Sequence, residues 1–405
     1  MRLFHHQAKM FKKFSLWDGT LIIFIMFSFL SVRAMEKEES ISAVSYINDS
    51  SLLEEDKTIF VPFETDREQL LRKEKLILDH TTKQSFTDTE LEPLFGLAID
   101  GGGMRGLMAA RWLQYFKLAL IELGYSKPLS EVFNLVGGTS MGGILSLGVA
   151  TDLDPDTLID LFAKEGDRVF PKKSQWKARL KNLGGLIGCR YSPTHLESLL
   201  QEYLGAETTL NDVNTNVLVT TCTTQGKPIL FKSLQEKDKL HKIWEIARAT
   251  SAAPTYFPAY KPSTHPDFLV DGGMWINNPS TLVTASMVMD LHKGTFSPNN
   301  LFVLSFGTGD MSLQTTLAEN AGILSASDII NLLMTSNSQG NHETMQSFLG
   351  NNYYRVNPLI NQVIDLAATD EGTISLLNTY ADQKSQLDII DLFAQKFVDV
   401  RRTRE

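Results

Sequence analysis

Residues 133–150 have the sequence FNLVGGTSMGGILSLGVA, in which one serine and its flanking glycines separate two apolar runs. We interpret the first run, which is short and bounded by glycine, as a buried strand, and the second as a helix. A serine in such a sharp turn exposes its hydroxyl, and glycine is required where the backbone is crowded. The pattern predicts a nucleophile elbow, with Ser140 between Gly138 and Gly142. A glycine-rich turn with a helix-capping serine is the alternative.

A second glycine-rich turn, DGGGMRG at residues 100–106, also separates an apolar run from a helical pattern. Consecutive glycines leave several backbone N–H groups free to point into one small volume, where they stabilise an oxyanion during acyl transfer. We therefore predict the oxyanion hole in this turn, formed by the amides of Gly101, Gly102 and Gly103. The charge of Arg105 has two interpretations, which are binding of a lipid phosphate and fixation of the loop.

The same turn fits the dinucleotide-binding pattern GxGxxG, with Gly101, Gly103 and Gly106 in the glycine positions. That pattern requires an acidic residue at the end of a second strand about 20 residues further on. Here the corresponding stretch, Leu118–Gly124, has a helical pattern and carries Glu122 inside it. The nucleotide-binding alternative is therefore disfavoured, and we expect no cofactor and no metal ion.

A third motif, Asp271-Gly272-Gly273, follows the short apolar run at residues 268–270. Open parallel sheets place their sites at the carboxyl ends of the strands, so a carboxylate there would lie on the same edge as the elbow serine. We predict that Asp271 is the base that activates Ser140. An ordinary Asp-Gly turn is the alternative.

A histidine base is the other possibility, because the chain order in α/β-hydrolases is serine, acid, histidine. His292 ends a predicted helix, where a cation is favourable in any protein. His342 lies in a polar stretch and His195 at a helix start, so both are expected on the surface. Since no histidine has a distinctive sequence context, we favour a Ser-Asp dyad over a triad.

Strands alternate with helices along the chain, which predicts an α/β fold with a largely parallel central sheet flanked by helices. The predicted strands are Phe95–Ile99, Phe133–Gly137, Asn216–Cys222, Ile229–Phe231, Phe268–Val270 and Leu301–Phe306. The predicted helices span residues 106–123, 141–150, 242–251, 281–292, 326–334 and 387–397. We place a catalytic domain at residues 91–360 and a helical C-terminal segment that packs on it at residues 361–405.

The N-terminus has the layout of a secretory signal, with basic residues, an apolar run at residues 21–32 and small residues before a cut after Ala34. We expect residues 1–34 to direct secretion or periplasmic export. An uncleaved membrane anchor at residues 20–33 and a buried start are the alternatives. Residues 35–90 are polar and charge-rich, which predicts a linker with some helix near residues 66–78.

The composition is that of a globular protein, 43% hydrophobic and 21% charged, with a formal net charge of −9. We expect no nucleic-acid partner, since no basic stripe with interleaved aromatic residues occurs. Contact with a membrane would be transient and local. The segment Phe170–Gly188, both basic and amphipathic, is interpreted as a lid or membrane-touching element, or as an ordinary surface helix. Cys189 and Cys222 are too few for a disulfide framework; their pairing and the oligomeric state stay open.

The three motifs, in this order, resemble those of the patatin-like phospholipases, an α/β family related to calcium-independent and cytosolic phospholipases A2. Four further stretches resemble sequences of that family: ARATSAAPTYF at 247–257, DGGMWINNP at 271–279, SFGTG at 305–309 and NYYRVN at 352–357. The resemblance covers residues 94 to 360. It implies the family's three-layer architecture.

Carried over position by position, the resemblance implies Ser140 as nucleophile, Asp271 as its partner, and an oxyanion hole of amides from the Gly101–Gly103 loop with help from Arg105. Met141 departs from the family pattern, since many relatives carry a smaller residue there. The expected reaction is hydrolysis of a carboxylic ester of a phospholipid or lysophospholipid through an acyl-enzyme. A histidine-assisted esterase of small soluble esters and a non-catalytic lipid- or nucleotide-binding module are the competing hypotheses.

Overall fold

The computed structural model describes residues 91–171, 189–311 and 326–404. All described residues belong to one compact unit. The predicted signal segment, the polar linker and its helix lie outside the described residues. So does most of the segment from Phe170 to Gly188.

The centre of the described part is a mixed seven-stranded sheet. Its strands are β1 (Leu94–Ile99), β2 (Leu135–Thr139), β3 (Asn216–Thr223), β4 (Pro228–Lys232), β5 (Leu269–Asp271), β6 (Leu301–Phe306) and β8 (Tyr353–Val356). The strand order is β4-β3-β2-β1-β6-β8, with β5 also paired to β3. Adjacent strands in the series β3-β2-β1-β6-β8 are parallel, whereas β4 and β5 run antiparallel to β3. Two short strands, β7 (Asp310–Met311) and β9 (Leu359–Ile360), form a separate parallel pair.

Helices cover both faces of this sheet. They are α1 (Gly106–Glu122), α2 (Met141–Ala150), α3 (Pro155–Ala163), α4 (Gly166–Val169), α5 (Thr194–Leu204), α6 (Ile243–Thr250), α7 (Ser280–Ser286), α8 (Ala326–Leu349), α9 (Glu371–Ala381) and α10 (Lys384–Arg402). A π-helical turn, Met287–Leu291, continues α7. The largely parallel sheet between helical layers confirms the predicted fold class.

Side chains of β1 alternate between two buried faces, as expected for a central parallel strand. Phe95 and its odd-numbered neighbours enter the larger core, where Phe95 contacts Phe393 and Phe397 of α10. Leu94 and Ala98 enter a smaller core on the opposite face, together with Val283 of α7. Both faces of the strand are therefore buried. The glycine loop begins directly after its carboxyl end at Ile99.

Most predicted elements are present with shifted ends. The second strand occupies Leu135–Thr139 rather than Phe133–Gly137, because the Asn134 side chain instead accepts a hydrogen bond from the Phe95 amide at 2.8 Å. Its glycines lie inside the strand, since a Cβ at Gly137 would stand 2.4 Å from Val283 of α7. The predicted helix at 326–334 continues to Leu349.

Candidate active site

Ser140 forms the sharp turn between β2 and α2, as the sequence predicts. Its backbone has φ 55° and ψ −125°, a conformation that a non-glycine residue rarely adopts. The two flanking glycines are sterically required. A Cβ at Gly138 would lie 2.1 Å from the Gly142 carbonyl oxygen, and one at Gly142 would lie 2.2 Å from the Ile99 carbonyl oxygen. The turn is thus a nucleophile elbow in its geometry, with the strain typical of functional positions.

Strand β3 brings Asp271 to this elbow. Thr220 of β3 pairs with Thr139 of β2, and the next residue, Thr221, pairs with Asp271 of β5. At Thr221, β4 pairs with one edge of β3, so β5 pairs with the other edge. That is the edge on which β2 pairs with β3 up to Thr220. Asp271 therefore stands beside Ser140. The predicted contact of the two residues is observed. The predicted reason, that Asp271 ends a parallel strand, was wrong because β5 runs antiparallel to β3.

The two side chains are in direct contact. The Ser140 hydroxyl donates to Oδ2 of Asp271 at 2.5 Å, and the Gly273 amide donates to Oδ1 at 2.8 Å. Both residues are buried. Burial raises the pKa of Asp271 to about 6, against the lowering effect of the hydrogen bonds from Ser140 and Gly273. This carboxylate is therefore a stronger base than an exposed aspartate, while still ionised at neutral pH.

Thr250, the last residue of α6, hydrogen-bonds the backbone of the Ser140 turn. Its hydroxyl accepts a hydrogen bond from the Ser140 amide at 2.8 Å and donates to the Thr220 carbonyl oxygen at 2.7 Å. The hydroxyl thus joins α6, β3 and the nucleophile turn. Sequence reasoning assigned no role to Thr250, although it lies in the stretch that resembles the family's internal helix and turn.

The glycine loop abuts the serine, since a Cβ at Gly101 would lie 3.1 Å from Cβ of Ser140. The Gly101 amide donates to the Asn277 carbonyl oxygen at 3.3 Å, so it is occupied. The amides of Gly102 and Gly103 have no hydrogen-bond partner within the part of the chain that the structure describes. The Met141 amide, at the start of α2, likewise has none there, and the residue after the nucleophile is a common oxyanion donor. Sequence reasoning did not include Met141 in the oxyanion hole.

Arg105 hydrogen-bonds the glycine loop and does not line the cavity beside Ser140. Its Nε donates to the Gly102 carbonyl oxygen at 3.4 Å, and its side chain lines a polar pocket with Asp100 and Thr308. Burial lowers the pKa of Arg105 to about 10, so the guanidinium stays charged at neutral pH. This contact matches the interpretation of Arg105 as a residue that fixes the loop.

A buried ion pair anchors the first residue of the loop. Arg355 of β8 binds Asp100 with two hydrogen bonds, at 2.8 and 2.6 Å, and their side chains are 8% and 2% exposed. Hydroxyls of Ser305 and Ser338 complete the network. Burial alone would lower the pKa of Arg355, but Asp100 raises it above its ordinary value. Sequence reasoning assigned no role to Arg355, although it lies in the stretch NYYRVN that resembles a family sequence.

An apolar cavity opens beside the two side chains, with an empty volume of about 610 Å³. Apart from Ser140, Asp271 and backbone of the glycine loops, its lining is mainly aliphatic and aromatic. These lining residues are Met141, Val169, Phe170, Leu196, Ala253, Pro254, Tyr256, Phe257, Met274, Ile330, Met334 and Leu366. A cavity of this chemistry suits a hydrocarbon chain.

The histidines named by sequence reasoning lie elsewhere. His292 is buried, and its Nε2 is 2.8 Å from the Glu92 carbonyl oxygen. His342 is half-buried, with its ring near the Tyr353 ring, so it is partly exposed rather than fully at the surface. His195 is exposed at the start of α5, as expected. None of the three lines the cavity or hydrogen-bonds Ser140 or Asp271 among the described residues.

Other expectations concern ligands and cysteines. Over residues 91–171, 189–311 and 326–404, no group of three or more potential metal ligands occurs, and no helix is long and apolar enough to cross a membrane. Within the same ranges Cys189 and Cys222 form no disulfide. Burial raises the pKa of both thiols.

Comparison with known proteins finds a matching family model, related sequences and a similar solved structure. The family model "Patatin-like phospholipase" matches residues 97–283. A cGAMP-activated phospholipase of Escherichia coli (strain TW11681) is 33% identical over 233 residues, 55% of this chain and 64% of that protein. One from Vibrio cholerae is 30% identical over 275 residues, 62% of this chain and 76% of that protein. VipD from Legionella pneumophila, a solved structure, is 14% identical, with a TM-score of 0.40 over 74% of this chain and 67% of that one.

Proposed function

This chain belongs to the patatin-like phospholipase family, and we propose that it hydrolyses carboxylic esters of phospholipids or lysophospholipids with Ser140 as nucleophile and Asp271 as base. One observation carries the proposal: the Ser140 hydroxyl donates to Asp271 at 2.5 Å beside an apolar cavity. A serine needs such a base because its hydroxyl is a weak nucleophile until its proton is removed.

The proposed reaction has two half-reactions. In the first, Oγ of Ser140 attacks the ester carbonyl carbon while its proton passes to Asp271, and the protonated Asp271 then returns that proton to the departing alcohol. In the second, Asp271 takes a proton from water, hydroxide attacks the acyl-enzyme, and a fatty acid leaves as Ser140 regains its proton. The raised pKa of Asp271, about 6, suits both roles because it lies near neutral pH.

The oxyanion formed in each half-reaction needs donors that are already in place. Among the described residues, the amides of Gly102, Gly103 and Met141 have no partner, and we take them as these donors. Gly103 and Met141 line the cavity beside Ser140, and Gly102 belongs to the same loop as Gly103. Each donor of this kind contributes roughly 3 kcal/mol to transition-state stabilisation. The N-terminus of α2 adds its positive dipole end at the same place.

The apolar cavity supports an acyl chain as the part of the substrate that is buried. Met274 lines this cavity and is 39% exposed, and Leu333 beside the lining residue Met334 is 46% exposed. Exposed apolar side chains at the cavity favour the transient membrane contact that we propose for substrate uptake. Secretion or periplasmic export through residues 1–34 is part of the same proposal.

The test is product analysis by mass spectrometry on defined phospholipids and lysophospholipids. We expect free fatty acid from the wild type and none above background from Ser140→Ala. Ser146→Ala, a buried serine further along α2 without a hydrogen-bond partner among the described residues, is the matched control and should keep wild-type activity. Two of the related proteins are named cGAMP-activated phospholipases, so each assay is run with and without cGAMP.

Three outcomes contradict the proposal. Full activity of Ser140→Ala would remove Ser140 as the nucleophile. Activity on short soluble esters alone, lost on changing a histidine, would favour the histidine-assisted esterase. A protein whose Ser140 fails to react with a fluorophosphonate probe in either condition would favour a non-catalytic lipid-binding module.

A further inference from the structure

Two side chains hold the carbonyl oxygen of Gly101 in the glycine loop. The Thr308 hydroxyl donates to it at 2.8 Å, and Nδ2 of Asn277 donates to it at 3.2 Å. Thr308 follows β6 and Asn277 follows β5, and both side chains are buried. The loop is therefore held by residues from two strands on either side of it.

This contact sets the direction of the next amide. The described peptide bonds are trans, and in a trans peptide the C=O of one residue and the N–H of the next point in opposite directions. With the Gly101 carbonyl directed at Thr308 and Asn277, the Gly102 N–H must point away from them. That is the N–H for which the described chain supplies no partner.

The following peptide repeats the arrangement. The Gly102 carbonyl oxygen accepts from the Arg105 amide at 3.2 Å and from Nε of Arg105 at 3.4 Å, which directs the Gly103 N–H the other way. Thr308 also fills the space beside Gly102, where an added Cβ would stand 2.3 Å from its hydroxyl oxygen. Because glycine lacks side-chain restraints, a loop of three glycines depends on such carbonyl contacts for its orientation.

We infer that Thr308 is a positioning residue of the oxyanion hole, acting with Asn277 through the Gly101 carbonyl to aim the Gly102 amide. The inference rests on the proposed function, since an oxyanion must form at Ser140. Thr308 touches no reacting atom. Its hydroxyl holds the donor in its transition-state orientation before substrate arrives, so its loss should affect the chemical step more than substrate binding.

The test compares Thr308→Val, which removes the hydroxyl at nearly constant shape, with Thr308→Ser, which keeps it. The primary readout is the second-order rate constant for fluorophosphonate labelling of Ser140, because the phosphonyl oxygen occupies the oxyanion position. We expect Thr308→Val to label roughly 10- to 100-fold more slowly and Thr308→Ser to stay within about 3-fold of wild type, in line with the effect of weakening one oxyanion donor.

Thr284→Val is the matched control, because the buried Thr284 hydroxyl donates to the Ser280 carbonyl oxygen within α7. It should label at the wild-type rate. Where the wild type hydrolyses lipid, kcat should fall with labelling while KM changes less than about 3-fold, and a trifluoromethyl ketone inhibitor should lose affinity in proportion to kcat/KM.

Equal labelling of Thr308→Val and wild type would overturn the inference while leaving the proposed function intact. Equal loss in Thr308→Val and Thr308→Ser would also overturn it, because packing of the methyl group would then explain the effect. A wild-type protein that neither labels at Ser140 nor hydrolyses lipid would instead remove the proposed function, and the inference with it.

Discussion

The glycine loop separates two buried aspartates with different surroundings. Asp271, on the cavity side, receives hydrogen bonds from the neutral donors Ser140 and Gly273. Asp100, on the opposite side, is bound through both oxygens by the guanidinium of Arg355 and also accepts from Ser338. One carboxylate is thus buried without a bound cation, and the other is neutralised.

The difference supports the proposal that Asp271 is the reactive carboxylate and Asp100 a structural one. Burial without a paired cation raises the pKa of Asp271 to about 6, which makes it a useful base. Pairing with Arg355 holds Asp100 in place at the start of the glycine loop. Four predictions test this contrast.

The largest effect is expected from Asp271→Asn. The amide keeps the shape but cannot take a proton from Ser140, so kcat should fall at least roughly 1,000-fold, within the range seen when members of a nucleophile–base pair are removed. Fluorophosphonate labelling and fatty-acid release measure the effect, and thermal unfolding should show no destabilisation at pH 7. Retention of more than a tenth of wild-type kcat would exclude Asp271 as the base.

On the opposite side of the loop, Arg355→Met should act on stability. It leaves Asp100 buried without its cation, which costs about 3–5 kcal/mol in the free energy of unfolding. Urea unfolding measures the loss. The double variant Asp100→Asn, Arg355→Met should recover part of it, since no unpaired charge remains. A single variant as stable as wild type would show that the ion pair does not anchor the loop.

The sequence predicts the cavity side of this contrast better than the opposite side. The glycines around Ser140 and at residues 101–103 are local signals. A side chain there would collide with atoms only a few residues away or on a neighbouring strand. The direction of β5 could not be predicted. The strand is only three residues long, and a sequence that short does not distinguish a parallel from an antiparallel strand. The contact of Arg355 with Asp100 joins residues 255 positions apart, and only the sheet order brings them together.

A third prediction concerns pH. The pKa of Asp271 is raised from 3.8 to about 6 in the folded chain, so folding favours the protonated carboxyl. Its contribution to stability is therefore greatest below pH 4 and falls as pH rises toward 6, by about 3 kcal/mol in total. Asp271→Asn lacks this titration. The free energy of unfolding of the variant minus that of the wild type should rise by most of that amount, about 2 kcal/mol, between pH 4 and 7. A constant difference would contradict the uncompensated burial of Asp271.

The smallest effect is expected from Thr250→Val. Its hydroxyl satisfies the Ser140 amide and the Thr220 carbonyl, and a buried amide without a partner costs about 1–3 kcal/mol. We expect a loss near the lower end, since the Ser140 turn also keeps its hydrogen bonds through the Gly143 and Ile144 amides. Thr250→Ser should restore the stability. The Val variant should also slow fluorophosphonate labelling several-fold, because a serine held at φ 55° relaxes when its amide is released. Unchanged stability and labelling would mean that the elbow is held by its glycines and by α2 alone.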